Sequence, residues 1–355
     1  MAPAFHRFVL SNPLTRPIAR QQTEALFDTV AGFVYAQTLA AMVELDLFRR
    51  LAEAPRTTKE LAADLHLSER AVDTLMSAGA ARGLVDRRGE RWGLGMKGAA
   101  ILGQGGIAEM VSHHHHFYRD LADPVARLRQ DGPTELAGYW TYSGGERTAR
   151  FDAEGYTSLM AASQAFIASA VLHNAPFRKA RHLTDLGGGA GAFAMAALKC
   201  HKNLTVTVLD RADVIPHAQA ALSAAGFGHR ATVGEVDFFK DDIFSQESPG
   251  PTDLVSLVRI LHDHDDEAVA ALLKNVARQI GPARLVVVEP MANHRRPTGL
   301  DAYFPWYFNA MGQGRFRSPQ ALTAFLKEAG FHSVTPLHSR NPTLTKVLLA
   351  SVQFD

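Results

Sequence analysis

The chain has 355 residues, ample length for more than one buried core. Hydrophobic residues at 46% and charged residues at 21% exclude whole-chain disorder. Lys+Arg at 37 against Asp+Glu at 36 leaves a formal net charge of +1, without the basic excess of proteins held to nucleic acid by phosphate neutralisation. The single cysteine, Cys200, can form no internal disulfide and no cysteine zinc cluster, which fits a reducing cytoplasm. No leader and no membrane span is expected, because the longest apolar candidate, Val30 to Leu47, is interrupted by Gln37, Glu44 and Asp46. Contact with a membrane surface stays open.

In chain order, Gln21 to Ala54 carries apolar side chains at helical spacing, from Leu26, Val30 and Phe33 to Leu47 and Phe48, and Pro55 closes it. Val30 to Phe48 offers more apolar surface than one small domain covers, which predicts burial against a second subunit. Thr58 to Ala63 begins a short helix, Leu65-His-Leu turns, Ser68 caps a second helix from Glu69, and Gly83 to Leu94 reads as a hairpin turning at Arg88-Gly89. This is a winged helix-turn-helix pattern. Between Arg56 and Lys97 eight Lys/Arg face six Asp/Glu, and the second helix opens with Glu69, Arg70 and Asp73. A DNA-reading helix more often presents Arg, Lys, Asn or Gln to base edges, so the pattern favours a protein–protein role.

Residues Gly98 to Ala180 read as helices broken at Pro124, Gly132-Pro133 and Gly144-Gly145. They carry four consecutive histidines, His113 to His116, of which only His113 and His116 share a helical face. An inward histidine lining a pocket is favoured there over a metal. From about Arg181, apolar runs at His182–Leu186, Leu204–Leu209, Asp253–Val258 and Arg284–Val288 alternate with helical stretches, and Val334 to Val352 supplies an antiparallel pair at the edge. The fold class is therefore α/β. A Rossmann-like domain over 181–355 follows a mostly helical winged-helix dimerisation domain over 1–110, with a helical, pocket-forming linker over 111–180.

The strongest chemical signal is Thr184-Asp-Leu-Gly-Gly-Gly-Ala-Gly-Ala-Phe193, a strand entering a glycine-rich turn and then a helix. Gly187, Gly189 and Gly191 permit positive φ and close approach of a ligand. Asp210 ends the next strand, placed to accept from both ribose hydroxyls of a nucleoside. NAD and S-adenosylmethionine both fit so far. Asp185, two positions before the glycines, suits a cationic amino-acid group and would repel a pyrophosphate, and the glycine spacing departs from the dinucleotide fingerprint. Both details favour S-adenosylmethionine. Asp237 is placed to accept from an adenine amino group, with Phe238 over the ring.

Arg259-Ile-Leu-His-Asp-His-Asp-Asp-Glu267 begins where the fourth strand of the sheet ends, at the edge where such sheets bind ligands. His262 is the candidate general base for a substrate hydroxyl. The competing readings are a polar first turn of the following helix, Ala268 to Ile280, or a metal site with Asp263 and His264. Glu289 ends the next strand, where it either orients His262 or forms a strand-end salt bridge. Met160, Phe166, Phe304, Trp306, Phe308 and Met311 are candidates to line an apolar substrate pocket, with about half expected in the core or dimer interface instead.

The series Asp-Leu-Gly-Gly-Gly-x-Gly, Leu-Asp, Asp-Phe-Phe, Arg-Ile-Leu-His-Asp and Val-Val-Glu-Pro resembles the S-adenosylmethionine-dependent small-molecule O-methyltransferases over nearly the whole chain. That resemblance implies a homodimer whose glycine turn holds the methionine part of the cofactor. Asp210 would hold the ribose, Asp237 and Phe238 the adenine, Arg259 would join the cofactor site, and His262 would be the base, assisted by Glu289 and Asp263. No metal is implied. Asn12 to Arg20, Phe27 to Gln37 and Leu136-Ala-Gly-Tyr-Trp-Thr-Tyr142 look like the bacterial hydroxyneurosporene (demethylspheroidene) O-methyltransferases, which methylate the tertiary C-1 hydroxyl of an acyclic carotenoid. Many family members carry Gly-x-Glu-Arg after the fifth strand, whereas Gly314-Arg-Phe-Arg317 puts Phe316 at the acidic position. The alternatives are C-methylation of a bacteriochlorophyllide, O-methylation of an aromatic or polyketide metabolite, an NAD dehydrogenase and a winged-helix DNA-binding regulator. A cytoplasmic enzyme without a nucleic-acid partner is the expectation.

Overall fold

Helix α1 (Arg16–Glu44) opens with a proline in its first turn, where the missing N–H would have had no partner. The computed structural model describes residues 12–103, 106–129, 134–139, 164, 166–240, 242–244, 249–293 and 295–352. They fall into two compact units, Met1–Ser112 and His113–Asp355.

In the first unit the apolar stretch read as continuous from Gln21 to Ala54 is two helices. Asp46 sits at φ 51, in the left-handed region, and separates α1 from α2 (Leu47–Glu53). The far end of the stretch packs at home: Met42, Leu47, Phe48 and Leu51 join Leu61, Val72, Met76, Val85 and Trp92 in one core. The unpartnered apolar surface lies earlier on α1, at Leu26, Phe27, Val30 and Phe33, each about two-thirds exposed or more. By length and composition alone α1 is apolar enough to cross a membrane, which the reading centred on Val30 to Leu47 did not anticipate.

The winged-helix layout is present. Strand β1 (Arg56–Thr57) leads into α3 (Thr58–Leu65), whose N-terminus is closed by a capping box between Thr57 and Glu60. Ser68 caps α4 (Glu69–Ala81) through the Ala71 amide. The hairpin β2 (Val85–Arg88) and β3 (Arg91–Leu94) gains a third strand, because β1 pairs with β3, and α5 (Met96–Gly103) follows.

After α6 (Ile107–Asp120), α7 (Pro124–Arg129), α8 (Glu135–Tyr139) and α9 (Ala175–Lys179), the second unit builds a seven-stranded sheet. Its elements are β4 (His182–Leu186), α10 (Ala192–Cys200), β5 (Thr205–Asp210), α11 (Ile215–Ala224), β6 (Ala231–Glu235), β7 (Leu254–Val258), a 3₁₀ turn (Leu261–Asp263), α12 (Asp266–Gln279), β8 (Arg284–Glu289), α13 (Gly299–Met311), α14 (Pro319–Glu328), β9 (Ser333–Leu337) and β10 (Lys346–Ser351). The spatial order is β6-β5-β4-β7-β8-β10-β9, parallel from β6 to β8, with β10 antiparallel to both β8 and β9. Strand order reverses between β4 and β7, which opens a crevice at their carboxyl ends. Alternate residues of β8 face opposite cores: Val286 and Val288 pack with Phe193 and Leu198, while Leu285 and Val287 pack with Leu272, Val276 and Leu326. A smaller cluster gathers Phe117, Leu136, Tyr307, Phe308 and Met311.

Candidate active site

The crevice is floored by the turn after β4. Gly187, Gly189 and Gly191 have φ of 71, 57 and 78. A Cβ on Gly187 would lie 2.4 Å from Ile260 Cδ1, so the turn is pressed against the neighbouring loop. A Cβ on Gly189 would meet nothing within 4 Å, so the backbone there faces open space. The Gly189 amide donates to Asp210 Oδ2 at 2.8 Å and the Arg211 amide to Asp210 Oδ1 at 2.8 Å. The carboxylate ending β5 is thereby tied to the glycine turn. Burial pushes its pKa up, and these two amides pull it down.

Asp185 is buried, and Ser256 Oγ donates to its Oδ1 at 2.6 Å. Its Oδ2 has no hydrogen-bond partner among the described residues. Burial pushes the carboxyl up to about 7, with the Ser256 hydroxyl pulling down and the Asp210 charge pushing up. An uncompensated buried oxygen of this kind is a ready partner for a cation. Asp237 sits farther out: it accepts from the Phe239 amide at 3.0 Å and pairs with Lys240 at 3.0 Å, which holds its carboxyl below the usual range. Phe238 Cε2 lies 3.7 Å from the ideal Cβ position on Gly187, so its ring does stand against the glycine turn.

His262 is buried in the 3₁₀ turn after β7. Its Nδ1 bonds Glu289 Oε2, and Glu289 Oε1 accepts from the amides of Ile260 at 2.9 Å and Leu261 at 2.8 Å. Asp263 Oδ1 lies 3.2 Å from the other ring nitrogen, Nε2. Burial disfavours the imidazolium, yet the Asp263 and Glu289 carboxylates outweigh it and raise the His262 pKa. Arg259, at φ 58, starts the loop in the left-handed region, and its charge acts on both His262 and Asp263. Asp265, not His262, caps α12, through the Ala268 amide at 2.8 Å. No group of three or more His, Cys, Asp or Glu able to hold a metal occurs among the described residues.

Phe304, Trp306, Phe308 and Met311 lie together on α13. The Phe308 ring stands 5.6 Å from that of His262. Phe316, at the position where an acid was sought, stacks on Phe304 at 4.9 Å. Phe166 is half-buried, and Met160 lies outside the described residues. Two of the four histidines face this wall: His113 Nε2 bonds Tyr307 Oη at 2.8 Å and His114 Nε2 bonds Tyr303 Oη at 2.8 Å. Burial, then the neighbouring charges of His114 and His116, lowers the His113 pKa to about 3, so its ring is neutral.

The sequence expectations gave no role to four polar residues. Ser256 was legible as a hydroxyl inside the apolar strand β7. Tyr303 and Tyr307 were passed over for their apolar neighbours. Arg317 matches the arginine of the Gly-x-Glu-Arg pattern, but that match alone gave it no role; it is buried, with Nη1 on Leu261 O at 2.7 Å and Nη2 on His264 O at 2.8 Å.

A family model of the O-methyltransferase domain matches residues 118–332, and one of the O-methyltransferase dimerisation domain matches residues 27–96. The chain belongs to the O-methyltransferase family. It is 38% identical to demethylspheroidene O-methyltransferase of Rhodobacter capsulatus, over 99% of this chain and 87% of that protein. It is 37% identical to that of Cereibacter sphaeroides, over 95% and 89%. The fold is shared with human N-acetylserotonin methyltransferase, solved with S-adenosylmethionine, at a TM-score of 0.76 and 22% identity, over 94% of this chain and 98% of that one. This O-methyltransferase depends on S-adenosylmethionine. Its residues fit the group, since an unpartnered buried carboxylate oxygen on Asp185 faces a backbone turn with open space at Gly189. The dimerisation match includes the exposed Phe27, Val30 and Phe33 on α1, which supports a homodimer.

Proposed function

We propose that this O-methyltransferase methylates the tertiary C-1 hydroxyl of an acyclic carotenoid of the demethylspheroidene or hydroxyneurosporene type. The observation that carries the reading is the aromatic wall beside His262, where Phe316 stacks on Phe304 and replaces a carboxylate with an apolar face. Such a wall suits a long apolar acceptor with a weakly acidic hydroxyl. The names of the relatives at 37–38% identity support the same acceptor.

Bound S-adenosylmethionine supplies an electrophilic methyl group on a cationic sulfur. In our reading Asp185 receives the cationic amino-acid end over Gly187, Gly189 and Gly191. Asp210 accepts from the ribose, Asp237 and Phe238 hold the adenine, and Arg259 flanks the site. His262 Nδ1 stays with Glu289, which leaves Nε2 to take the acceptor's proton once Asp263 turns away from it. Phe304, Trp306, Phe308 and Met311 line the acceptor, and Phe117 and Leu136, from the segment 111–180, pack behind that wall. We place the homodimer in the cytoplasm, at a membrane surface where such an acceptor partitions.

The test is to incubate the protein with labelled S-adenosylmethionine and separate panels of hydroxycarotenoids, chlorins and phenols. Label in the carotenoid methyl ether is expected, and label confined to chlorins or phenols overturns the acceptor. His262→Ala and His262→Asn are expected to slow transfer by about 10²–10⁴-fold while sparing cofactor affinity. A folded His262→Ala protein within about threefold of the wild-type rate, far short of that loss, removes the base assignment.

A further inference from the structure

The turn that carries His262 is a single 3₁₀ turn with few bonds of its own: the Asp263 amide reaches Ile260 O at 3.2 Å and the His264 amide reaches Leu261 O only at 3.5 Å. The second of these is long and weak, so the turn depends on partners outside it for its position. Glu289 receives its leading amides, from Ile260 and Leu261. Its carbonyls go to the segment 315–317. Arg317 Nη1 donates to Leu261 O at 2.7 Å, the Arg315 amide to His262 O at 2.8 Å, and Arg317 Nη2 to His264 O at 2.8 Å. Asp266, in the first turn of α12, then receives Arg317 Nε at 2.9 Å and Nη2 at 2.7 Å, together with Arg315 Nη1.

We propose that Arg317 is the positioning residue for the catalytic base, its guanidinium fixing the carbonyl side of the His262 turn while Glu289 fixes the amide side. The proposal rests on His262 being the base. Arg317 acts through the backbone and not on the reacting atoms, because its three guanidinium nitrogens are engaged with Leu261, His264 and Asp266. A planar fork is required, since the acceptors diverge across it, and a lysine ammonium is a point charge on a flexible stem. The same segment registers the base against the acceptor wall. Gly314, at φ 88, comes so close that a Cβ would lie 2.5 Å from His262 O and 2.8 Å from Phe308 Cδ1, and Phe316 stacks on Phe304. Loss of the fork therefore frees the base relative to both cofactor turn and wall.

The full chain is made as wild type, Arg317→Met, Arg317→Lys and Leu204→Ala. Leu204 is a buried residue just before β5, at the end of that strand opposite Asp210, and serves as a control for destabilisation alone. Three readouts are taken well below each melting temperature. They are calorimetric affinity for S-adenosylmethionine, single-turnover transfer to a hydroxycarotenoid, and the low-field ring proton of the His262–Glu289 hydrogen bond, assigned by its loss in His262→Asn. Arg317→Met is expected to keep cofactor affinity, to lose about 10- to 100-fold in transfer rate, and to broaden or lose the ring proton. Arg317→Lys is expected to recover part of both, and Leu204→Ala to keep both despite a lower melting temperature. A folded Arg317→Met protein with an unchanged ring proton and a rate within about threefold of wild type, where misplacement of the base should cost far more, overturns the proposal. If Arg317→Met does not fold, the same criterion applied to Arg317→Lys decides. The ring proton needs no acceptor, so a wild-type protein that methylates no carotenoid counts against the proposed acceptor and leaves this test standing.

Discussion

Glu289 holds His262 twice, once at the ring through Nδ1 and once at the backbone, where its second oxygen takes the two amides leading into the histidine's turn. One buried carboxylate thus sets both the tautomer of the imidazole and the place from which it acts.

Replacing Glu289 with Gln tests this directly. The Gln carbonyl can still accept the Ile260 and Leu261 amides, but its NH₂ group faces Nδ1 and forces the proton onto Nε2. The base then has the wrong tautomer, and the transfer rate is expected to fall by about 10²–10⁴-fold with cofactor affinity kept. The pH profile supplies a second check. Activity needs neutral His262, whose pKa is raised in spite of burial by Asp263 and Glu289, so the wild-type rate should climb on the alkaline side of the ordinary histidine range of 6.5. The Gln variant loses one of those charges, and its acid limb should move to lower pH. A limb that stays in place would show that Glu289 does not set the base.

Asp185 predicts proton exchange on ligand uptake. Burial holds its carboxyl near 7, against 3.8 for the ordinary group, so the ligand-free fold favours the neutral form. A cation at Oδ2 restores the charged form. Binding of S-adenosylmethionine near pH 7 should therefore release a proton, seen as a binding heat that varies with the ionisation enthalpy of the buffer. The stability sign follows from a raised acid pKa. The contribution is fully present below about 3.8 and is lost as pH rises through about 7, so the ligand-free melting temperature should decline across that window. Asp185→Asn should flatten the decline and abolish the buffer dependence. Identical curves for the two proteins would refute the coupling.

Asp210→Ala should weaken S-adenosylmethionine binding by roughly 1.5–3 kcal/mol, the range for hydrogen bonds to a charged group. Part of the loss is indirect, because Asp210 also ties down the Gly189 amide. Calorimetry that finds unchanged affinity would remove Asp210 from the cofactor site.

The apolar face of α1 supplies the fourth prediction. Val30→Asp with Phe33→Asp changes two exposed positions within the dimerisation match, so the subunit should fold and the dimer should weaken by about 2–4 kcal/mol. Light scattering at micromolar concentration checks it. A variant that remains dimeric places the interface elsewhere.

The glycine turn, the acid ending β5 and the histidine after β7 were legible in the sequence because each is a local pattern: a strand, a breaker and a residue type at a fixed offset. The break at Asp46 was not, since an aspartate in the left-handed region leaves the apolar spacing on either side nearly intact. Nor was the short β1, a strand of two residues that exists only because β3 lies beside it. The role of Arg317 was hidden for a related reason. Its partners are the backbone carbonyls of Leu261 and His264, and a backbone acceptor leaves no trace in residue identity. Phe316 was read as the loss of an acid, and only its stacking on Phe304 shows what stands there instead.

The bonds that build the site close long loops. Ser256 and Asp185 are 71 residues apart, Arg317 and Leu261 are 56, and His262 and Glu289 are 27. Closing such loops is entropically slow, and none of these contacts is rewarded until the parallel strands between them are aligned. A fragment that stops short of either Asp185 or Arg317 lacks one of these bonds, and ligand capture during refolding becomes a clock for the last step of assembly. Recovery of S-adenosylmethionine binding after dilution from denaturant should therefore lag behind the return of helical signal, in a single late phase.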